Sequence, residues 1–264
     1  MATEFSSWDS YFWEPGGTVL RNLYGERDGA VLAQREYAET AKQQVKLDAG
    51  LVVIAKTYDA EHLRAIHKQL FANVYEWAGG LRSVGIRKGF NKFASPENVP
   101  RYLVEASQLV RSAHWSTMDR DAFASAAAEV FAHVNQGHPF REGNGRSSKI
   151  FMQHVAELSS FRLDYDPAVS GVTPEIWNQA SMLSGPDIGR HEPVPESLVP
   201  VFRALAVERT PAAAPIVTDP GLARVMGRAS FPYSATEATR ARSDAGVAPR
   251  PASAPGRPYG VGRD

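Results

Sequence analysis

The feature that most limits the fold of this chain is the helical spacing of its apolar residues. Leu63, Ile66 and Leu70 follow the i, i+3, i+4, i+7 pattern that places side chains on one face of an α-helix. Three further stripes of the same kind follow, at residues 99–110, 123–134 and 150–158. A chain with this pattern is expected to bury its apolar faces by packing helix against helix.

Helix-start and helix-stop residues bound these stripes. Asp59 is a typical N-cap for the first stripe, which Gly79-Gly80 would end, and Ser95-Pro96 is a typical start for the second. Gly137 ends the third. Shorter or more polar patterns predict further helices within residues 28–47, 174–180 and 198–205. The exception is residues 81–93, whose two glycines and poor alternation favour a short β-hairpin. The sequence predicts a mainly α-helical domain with one small β element.

Composition changes near residue 210. Residues 210–264 are dominated by Ala, Pro, Gly and Arg, and carry seven arginines against four acidic residues. Such a stretch buries too little apolar surface to offset its conformational entropy, so we expect a disordered tail. The sequence therefore predicts one folded domain at residues 1–209 and a solvated extension at 210–264.

Charge and cysteine content exclude several classes of function. The formal net charge is zero, so no overall field favours nucleic acid. There is no cysteine, which rules out disulfides and thiolate metal sites and fits a reducing compartment. No apolar run reaches the roughly 18 residues of a membrane helix, and residues 1–10 lack the features of a classical secretory signal. We expect a cytoplasmic protein that does not bind membranes, although a non-classical export signal would escape this test.

Residues 138–146, His-Pro-Phe-Arg-Glu-Gly-Asn-Gly-Arg, lie between two helical stripes. A helix beginning near Gly145 would present unpaired backbone N–H groups and the positive end of its dipole, which together attract anions. Gly143 and Gly145 would let a phosphate approach those amides, and Arg146 and Lys149 would face the same anion. Glu142 is the one carboxylate among these positively charged groups, which indicates Mg²⁺ bridging the acid and substrate phosphates. His138 has the side chain most often used as a general base.

Several of these residues also have a simpler structural interpretation. Asn144-Gly145 is also a common hairpin turn, but helical periodicity on both sides disfavours a hairpin here. His62, His67, His133 and His154 are interpreted as structural, because their spacing matches no zinc motif. The tryptophans at 77, 115 and 177 are interpreted as core residues. Four basic residues near the hairpin are equally consistent with solvated charge and with a target-recognition patch: Arg82, Arg87, Lys88 and Lys92.

The 138–149 segment closely resembles the signature of the Fic family, His-Pro-Phe-x-(Asp/Glu)-Gly-Asn-Gly-Arg-x-x-Arg. Eight of the nine specified positions match, and the ninth is Lys149 where the family has arginine. The resemblance extends to Asp9–Tyr11, to residues 74–79 and to the hairpin before Pro96, and covers about residues 5–205. It implies a Fic-type helical domain with a short β-hairpin flap near the active site.

The resemblance also implies a reaction, the transfer of AMP from ATP to a Tyr, Thr or Ser hydroxyl of a target protein. His138 would deprotonate that hydroxyl, and Glu142 would hold Mg²⁺ at the α- and β-phosphates. Arg146 would bind the β-phosphate, and Lys149 would replace the arginine that contacts the γ-phosphate. The anion hole would consist of Gly143, Asn144 and Gly145, and Phe140 would anchor the loop. The flap, residues 84–93, would dock the target by strand-like pairing through Val84, Gly85, Ile86, Arg87, Lys88, Gly89 and Phe90.

Relatives often carry an inhibitory helix with the pattern (Ser/Thr)-x-x-x-Glu-(Gly/Asn). In this sequence Glu97-Asn98 and Glu142-Gly143 have the second half of that pattern, but neither has Ser or Thr four residues before the glutamate. The resemblance to toxin-type members therefore implies a separate, small, antitoxin-like inhibitory protein. Two alternatives stay open: a Fic-fold enzyme that transfers another phosphate-bearing group or removes AMP, and a nucleotide-binding module without catalysis.

Overall fold

The computed structural model describes residues 5–89 and 91–209. The expected tail at 210–264 and the flap residue Phe90 lie outside the described residues. The described chain is mainly helical, as predicted, with β elements of two or three residues. Its helices are α1 (Gly29–Asp48), α2 (Ala60–Phe71), α3 (Val99–Ser112), α4 (Arg120–Gly137), α5 (Asn144–Ala156), α6 (Pro167–Ser170), α7 (Pro174–Leu183) and α8 (Val199–Leu205).

Side-chain caps explain where several helices begin. Asp28, Asp59 and Asp119 each accept hydrogen bonds from backbone N–H groups in the first turn of α1, α2 and α4, and Thr173 does the same for α7. These bonds satisfy donors that a helix start leaves without partners, so the short polar residues in the sequence fix the boundaries.

Helix α4 lies at the centre of the domain. It packs against α3, α5 and α8, while α2 packs against α1 and α5. Alanines such as Ala124, Ala127 and Ala128 are fully buried on α4 and let its neighbours approach closely. Because α4 ends against α3 and α5 begins beside α2, the intervening loop is supported from several sides.

Two small antiparallel sheets are present in the described residues. In the flap, β1 (Arg87–Lys88) pairs with β2 (Asn91–Lys92), with Arg87 opposite Lys92 and Lys88 opposite Asn91. The second sheet pairs β3 (Phe161–Leu163) with β4 (Ala206–Glu208), which the sequence did not predict. Its strands are three residues long and come from distant parts of the chain, so no local turn signal marks them.

One predicted helix end was wrong. Helix α2 ends at Phe71 rather than continuing to Gly79, although Val74 and Tyr75 are buried as the periodicity implied. Residues 72–80 form turns, with Gly79 at φ 80°. Burial of these side chains therefore comes from a turn that folds back on the core, which apolar spacing does not distinguish from another helical turn. Within the described part of the chain, no helix combines the length and apolarity needed to cross a membrane.

Candidate active site

The loop between α4 and α5 is fixed by its own side chains. His138 caps α4 in the left-handed conformation, with φ 40° and ψ 60°. The Asn144 side chain accepts a hydrogen bond from Phe140 N–H at 2.8 Å and donates one to Phe140 O at 2.7 Å. Gly143 has φ 82°, and a β-carbon there would lie 2.3 Å from Cζ of Phe71. The sequence thus fits a glycine to the tightest point of the loop.

The buried ring of His67 packs against the loop and supports it. The ring of His67 stacks on Phe140 with centroids 3.8 Å apart. Its Nδ1 accepts from Gly79 N–H at 2.8 Å, so Nε2 carries the proton and donates to Glu142 O at 2.9 Å. Burial lowers the pKa of His67 to about 3, which keeps the ring neutral in this bridging role. His67 and the buried Phe140 are structural parts of the site.

His138 stands against the flap. Its ring stacks on Phe93, with centroids 3.6 Å apart and planes 12° from parallel. Partial burial, then the nearby charges of Arg82 and Lys88, lower the pKa of His138 to about 3. The imidazole is therefore neutral near pH 7 and able to accept a proton.

The first turn of α5 provides the predicted set of amides. The first intrahelical bond runs from Ser147 N–H to Gly143 O at 3.1 Å, so the N–H groups of Asn144, Gly145 and Arg146 precede the helical ladder. A β-carbon added to Gly145 would meet no atom within 4 Å. This turn lines a cavity of about 950 Å³ that His138 and the flap also line. The space beside Gly145 is open to an anion at the positive end of the helix dipole.

Glu142 is the acidic residue closest to this turn in sequence. Its Oε1 accepts from Gly143 N–H at 3.0 Å and lies 3.5 Å from Nη2 of Arg146. Its Oε2 is buried and has no hydrogen-bond partner among the described residues. Burial, reinforced by the charge of Glu36, raises the pKa of Glu142 to about 7. A carboxylate oxygen with spare bonding capacity beside orphan amides fits Mg²⁺ held jointly with phosphate oxygens.

Arg146 is held by α1. Its Nη2 pairs with the buried carboxylate of Glu36, its Nη1 lies 3.3 Å from Oγ1 of Thr40, and its guanidinium lies over the Phe71 ring. The Tyr75 hydroxyl donates to the other oxygen of Glu36. The sequence does not mark Glu36 as a site residue, because Glu36, Thr40 and Gln43 form a polar stripe at helical spacing on α1, although all three are buried. The predicted contact between Arg146 and the β-phosphate stays a prediction.

Lys149 lies on the cavity wall between two aromatic rings. Its Nζ is 4.9 Å from the ring centroid of Tyr165 and 5.2 Å from that of Trp177. Burial lowers the pKa of Lys149 to about 8. The ammonium therefore rests in a cation–π environment at the position where an arginine would offer a planar fork.

Arg141, the variable position of the signature, is also buried. It is 2% exposed, and its guanidinium carbon lies 4.2 Å from the Trp8 ring centroid and 5.3 Å from that of Phe12. None of its three side-chain nitrogens has a hydrogen-bond partner among the described residues. Its charge lowers the pKa of Glu142, so Arg141 favours the ionised carboxylate from behind the loop.

The flap crosses the mouth of the cavity. Val84 is buried, Gly89 and Lys88 are exposed, and Gly85, Ile86 and Arg87 complete its described docking residues. The Lys88 ammonium donates to Oδ1 of Asn178 on α7 at 3.3 Å, which joins the flap to the opposite rim. Arg82 is 3% exposed, so it is not solvated charge. For Arg87, Lys88 and Lys92 the choice between solvated charge and target recognition stays open.

Comparisons with known proteins identify the family of this chain. Residues 57–156 match the model of the Fic/DOC family. The chain is 35% identical over 156 residues to protein adenylyltransferase VbhT of Bartonella schoenbuchensis, and the match covers 59% of this chain and 32% of VbhT. It is 30% identical over 188 residues to a Salmonella typhimurium protein named "Probable protein adenylyltransferase Fic", covering 69% and 87% of the two chains. The chain spans about a third of the length of VbhT but most of the Salmonella relative.

A solved structure shares the fold. The N-terminal Fic domain of a VirB-translocated Bep effector protein from Bartonella quintana, determined with bound ADP, superposes with a TM-score of 0.64. It is 26% identical in sequence, and the match covers 75% of this chain and 95% of the domain.

Proposed function

Because the chain belongs to the Fic/DOC family, we propose that it is a protein adenylyltransferase that transfers AMP from ATP to a tyrosine, threonine or serine hydroxyl of a target protein. Its relatives are named for this nucleotidyltransferase activity. ADP in the Bartonella quintana Fic domain supports an adenine nucleotide in the corresponding cavity.

Two features that line the same cavity support this proposal. One is the neutral imidazole of His138, and the other is the set of open amides at the start of α5, next to Glu142. A pure nucleotide binder needs the amides but not the base. This arrangement serves a reaction in which a hydroxyl loses its proton while a phosphate gains charge.

In the proposed reaction the target hydroxyl gives its proton to His138. Its oxygen forms a bond to the α-phosphorus of ATP as the bond to the bridging oxygen breaks, and pyrophosphate leaves with the electron pair. The N–H groups of Asn144, Gly145 and Arg146 would stabilise negative charge on the phosphates. Mg²⁺, held by Glu142 and phosphate oxygens, would neutralise charge on the leaving group. The flap would present the target backbone next to His138.

The experiment incubates the full chain with Mg²⁺, cell lysate and ATP labelled at the α-phosphate. Label is expected on a protein band with the wild type and not with His138→Ala, whereas His114→Ala, altered at an exposed histidine, should behave as wild type. Parallel reactions with label at the γ-phosphate, or with labelled UTP, separate phosphoryl and UMP transfer. Transfer from either of those substrates alone, or release of AMP from a pre-labelled protein, would replace the proposal with the alternative activity.

We also propose that a separate small protein inhibits the enzyme. The support is the sequence, in which the glutamates of the inhibitory pattern lack the Ser or Thr that precedes them. The enzyme purified from its native host is expected to bring down a stoichiometric small protein, and removing that protein should increase label transfer. Full transfer by enzyme that purifies alone would count against an inhibitor.

A further inference from the structure

Arg82 connects the flap to the end of α4 through four backbone carbonyl groups. Its Nε donates to His138 O at 2.7 Å and its Nη2 to Gly137 O at 3.1 Å. On the flap side, Nη1 donates to Val84 O at 2.7 Å, and Nη2 donates to Ala94 O. The backbone N–H of Arg82 adds a bond to Pro139 O at 2.8 Å.

Burying the Arg82 guanidinium without a carboxylate partner costs free energy, which its hydrogen bonds must offset. Arg82 is 3% exposed, and its described hydrogen bonds go to neutral carbonyl groups rather than to a carboxylate. Burial lowers its pKa to about 10, which still leaves the side chain charged. A planar guanidinium can bond to several carbonyls in fixed directions at once, which a lysine cannot do.

The carbonyls that Arg82 binds are those that set the position of the base. His138 has a left-handed backbone, which a residue with a β-carbon adopts only when its surroundings enforce it. Arg82 holds the carbonyl groups of Gly137 and His138 on either side of that bend. Directly after the flap it holds Ala94, whose neighbour Phe93 stacks on the His138 ring. Both the backbone of the base and the ring against it therefore depend on one side chain.

We infer that Arg82 is a positioning residue that holds His138 and the flap in a fixed relative orientation, so that the distance between the base and the docked target stays constant. The inference rests on the proposed function. Arg82 does not line the cavity, so it acts through His138 and the flap rather than on substrate. An arginine that only stabilised the fold would not need to bond both to the backbone of His138 and to the flap.

Two substitutions test the inference. Arg82→Met removes every donor, and Arg82→Lys keeps the charge but not the fork. Misplacing a catalytic group by about 1 Å costs about 100-fold in rate, so we expect Arg82→Met to lower kcat for label transfer by about that factor. The affinity for ATP should change less than about threefold, because the amides of α5 are untouched. The kcat of Arg82→Lys should lie between those of the wild type and Arg82→Met. Arg120→Met is the control for loss of an arginine-to-carbonyl bond, since the more exposed Arg120 donates to Ala206 O at 2.7 Å at the opposite end of α4.

Nuclear magnetic resonance of the imidazole nitrogens gives a readout that does not need activity. In wild type, the Arg82 Nε–H should exchange slowly with solvent, and the His138 ring should show one set of resonances. In either folded variant the His138 resonances should shift and broaden, while those of His67 should not. Rapid exchange of the wild-type Arg82 Nε–H would overturn the inference, as would unchanged His138 resonances and kcat in a folded variant. If the wild type transfers no label, the proposed function fails, and these resonances still decide the role of Arg82.

Discussion

At the scale of single residues, Lys149 is where this chain departs from the family signature. Its ammonium lies between Tyr165 and Trp177 rather than in a fork-like contact. A guanidinium could stack on the same rings and still offer two parallel donors to a phosphate. Lys149 thus keeps the positive charge of the signature position but lacks the two parallel donors with which an arginine would bind a phosphate.

We predict that Lys149→Arg tightens ATP binding or raises the transfer rate. One additional charge-assisted hydrogen bond is worth about 1 kcal/mol in excess of the existing contact, which corresponds to about fivefold in affinity. Calorimetric titration of the variant with ATP, together with initial rates of label transfer, measures both quantities. Lys149→Met is the control, and it should weaken binding. If affinity and rate both stay at wild-type values in Lys149→Arg, the prediction is wrong.

The two glycines of the loop should respond oppositely to alanine. Gly143 has a positive φ and lies against Phe71, so Gly143→Ala combines backbone strain with overpacking and should reduce the free energy of unfolding by about 3 kcal/mol. Gly145→Ala meets no protein atom, so stability should change by less than about 1 kcal/mol while ATP affinity falls, because the methyl group enters the anion site. Urea denaturation and ATP titration of both variants provide the comparison. Equal effects on stability would contradict it.

At the scale of elements, the first turn of α5 is tied to α1 by the buried pair of Arg146 and Glu36. Removing one partner of such a pair leaves the other charge buried without compensation. We therefore predict that Glu36→Gln lowers the free energy of unfolding by about 3 kcal/mol. Glu61→Gln is the matched control, since Glu61 pairs with Arg64 on the surface and should contribute less than about 1 kcal/mol. Thermal or urea denaturation measures both. A loss in Glu36→Gln no larger than in the control would show that the pair is not needed for stability.

Comparison of the elements shows which parts of the structure can be predicted from local sequence. Helices α4 and α5 follow from apolar spacing, aspartate caps and glycine, and the loop between them follows from the signature. The pairing of β3 with β4 and of Glu36 with Arg146 joins residues far apart in the chain. Local periodicity specifies which face of an element is buried but not what it meets there. A polar stripe such as Glu36, Thr40 and Gln43 is typical of a solvent-facing surface, so neither the burial of Glu36 nor its partner could be predicted. The same holds for the carbonyls that surround Arg82.

At the scale of the whole molecule, several histidines are held neutral by burial. The pKa values of His62, His67 and His138 are lowered to about 4, about 3 and about 3. Below their unfolded value of about 6.5, the unfolded chain binds protons that the folded state refuses, so stability is lost as pH falls. Glu142 acts in the opposite direction, because its raised pKa lets the folded state bind a proton below about 7. Burial lowers the pKa of His154 as well. Three histidines with strongly lowered pKa values against one carboxyl, with a further contribution from His154, leave a net uptake of at least about two protons on unfolding.

We predict that the free energy of unfolding falls by about 3 kcal/mol for each pH unit between about 6 and 5, since one proton corresponds to about 1.4 kcal/mol per unit. Urea denaturation at several pH values gives this slope. His62 accepts from Tyr58 N–H and lies 2.9 Å from Nδ1 of His154, so His62→Gln should reduce the slope by about one proton. His114→Gln, at an exposed site, should leave it unchanged. A slope near zero in the wild type, or an equal slope in His62→Gln, would mean that these buried rings take up protons without unfolding.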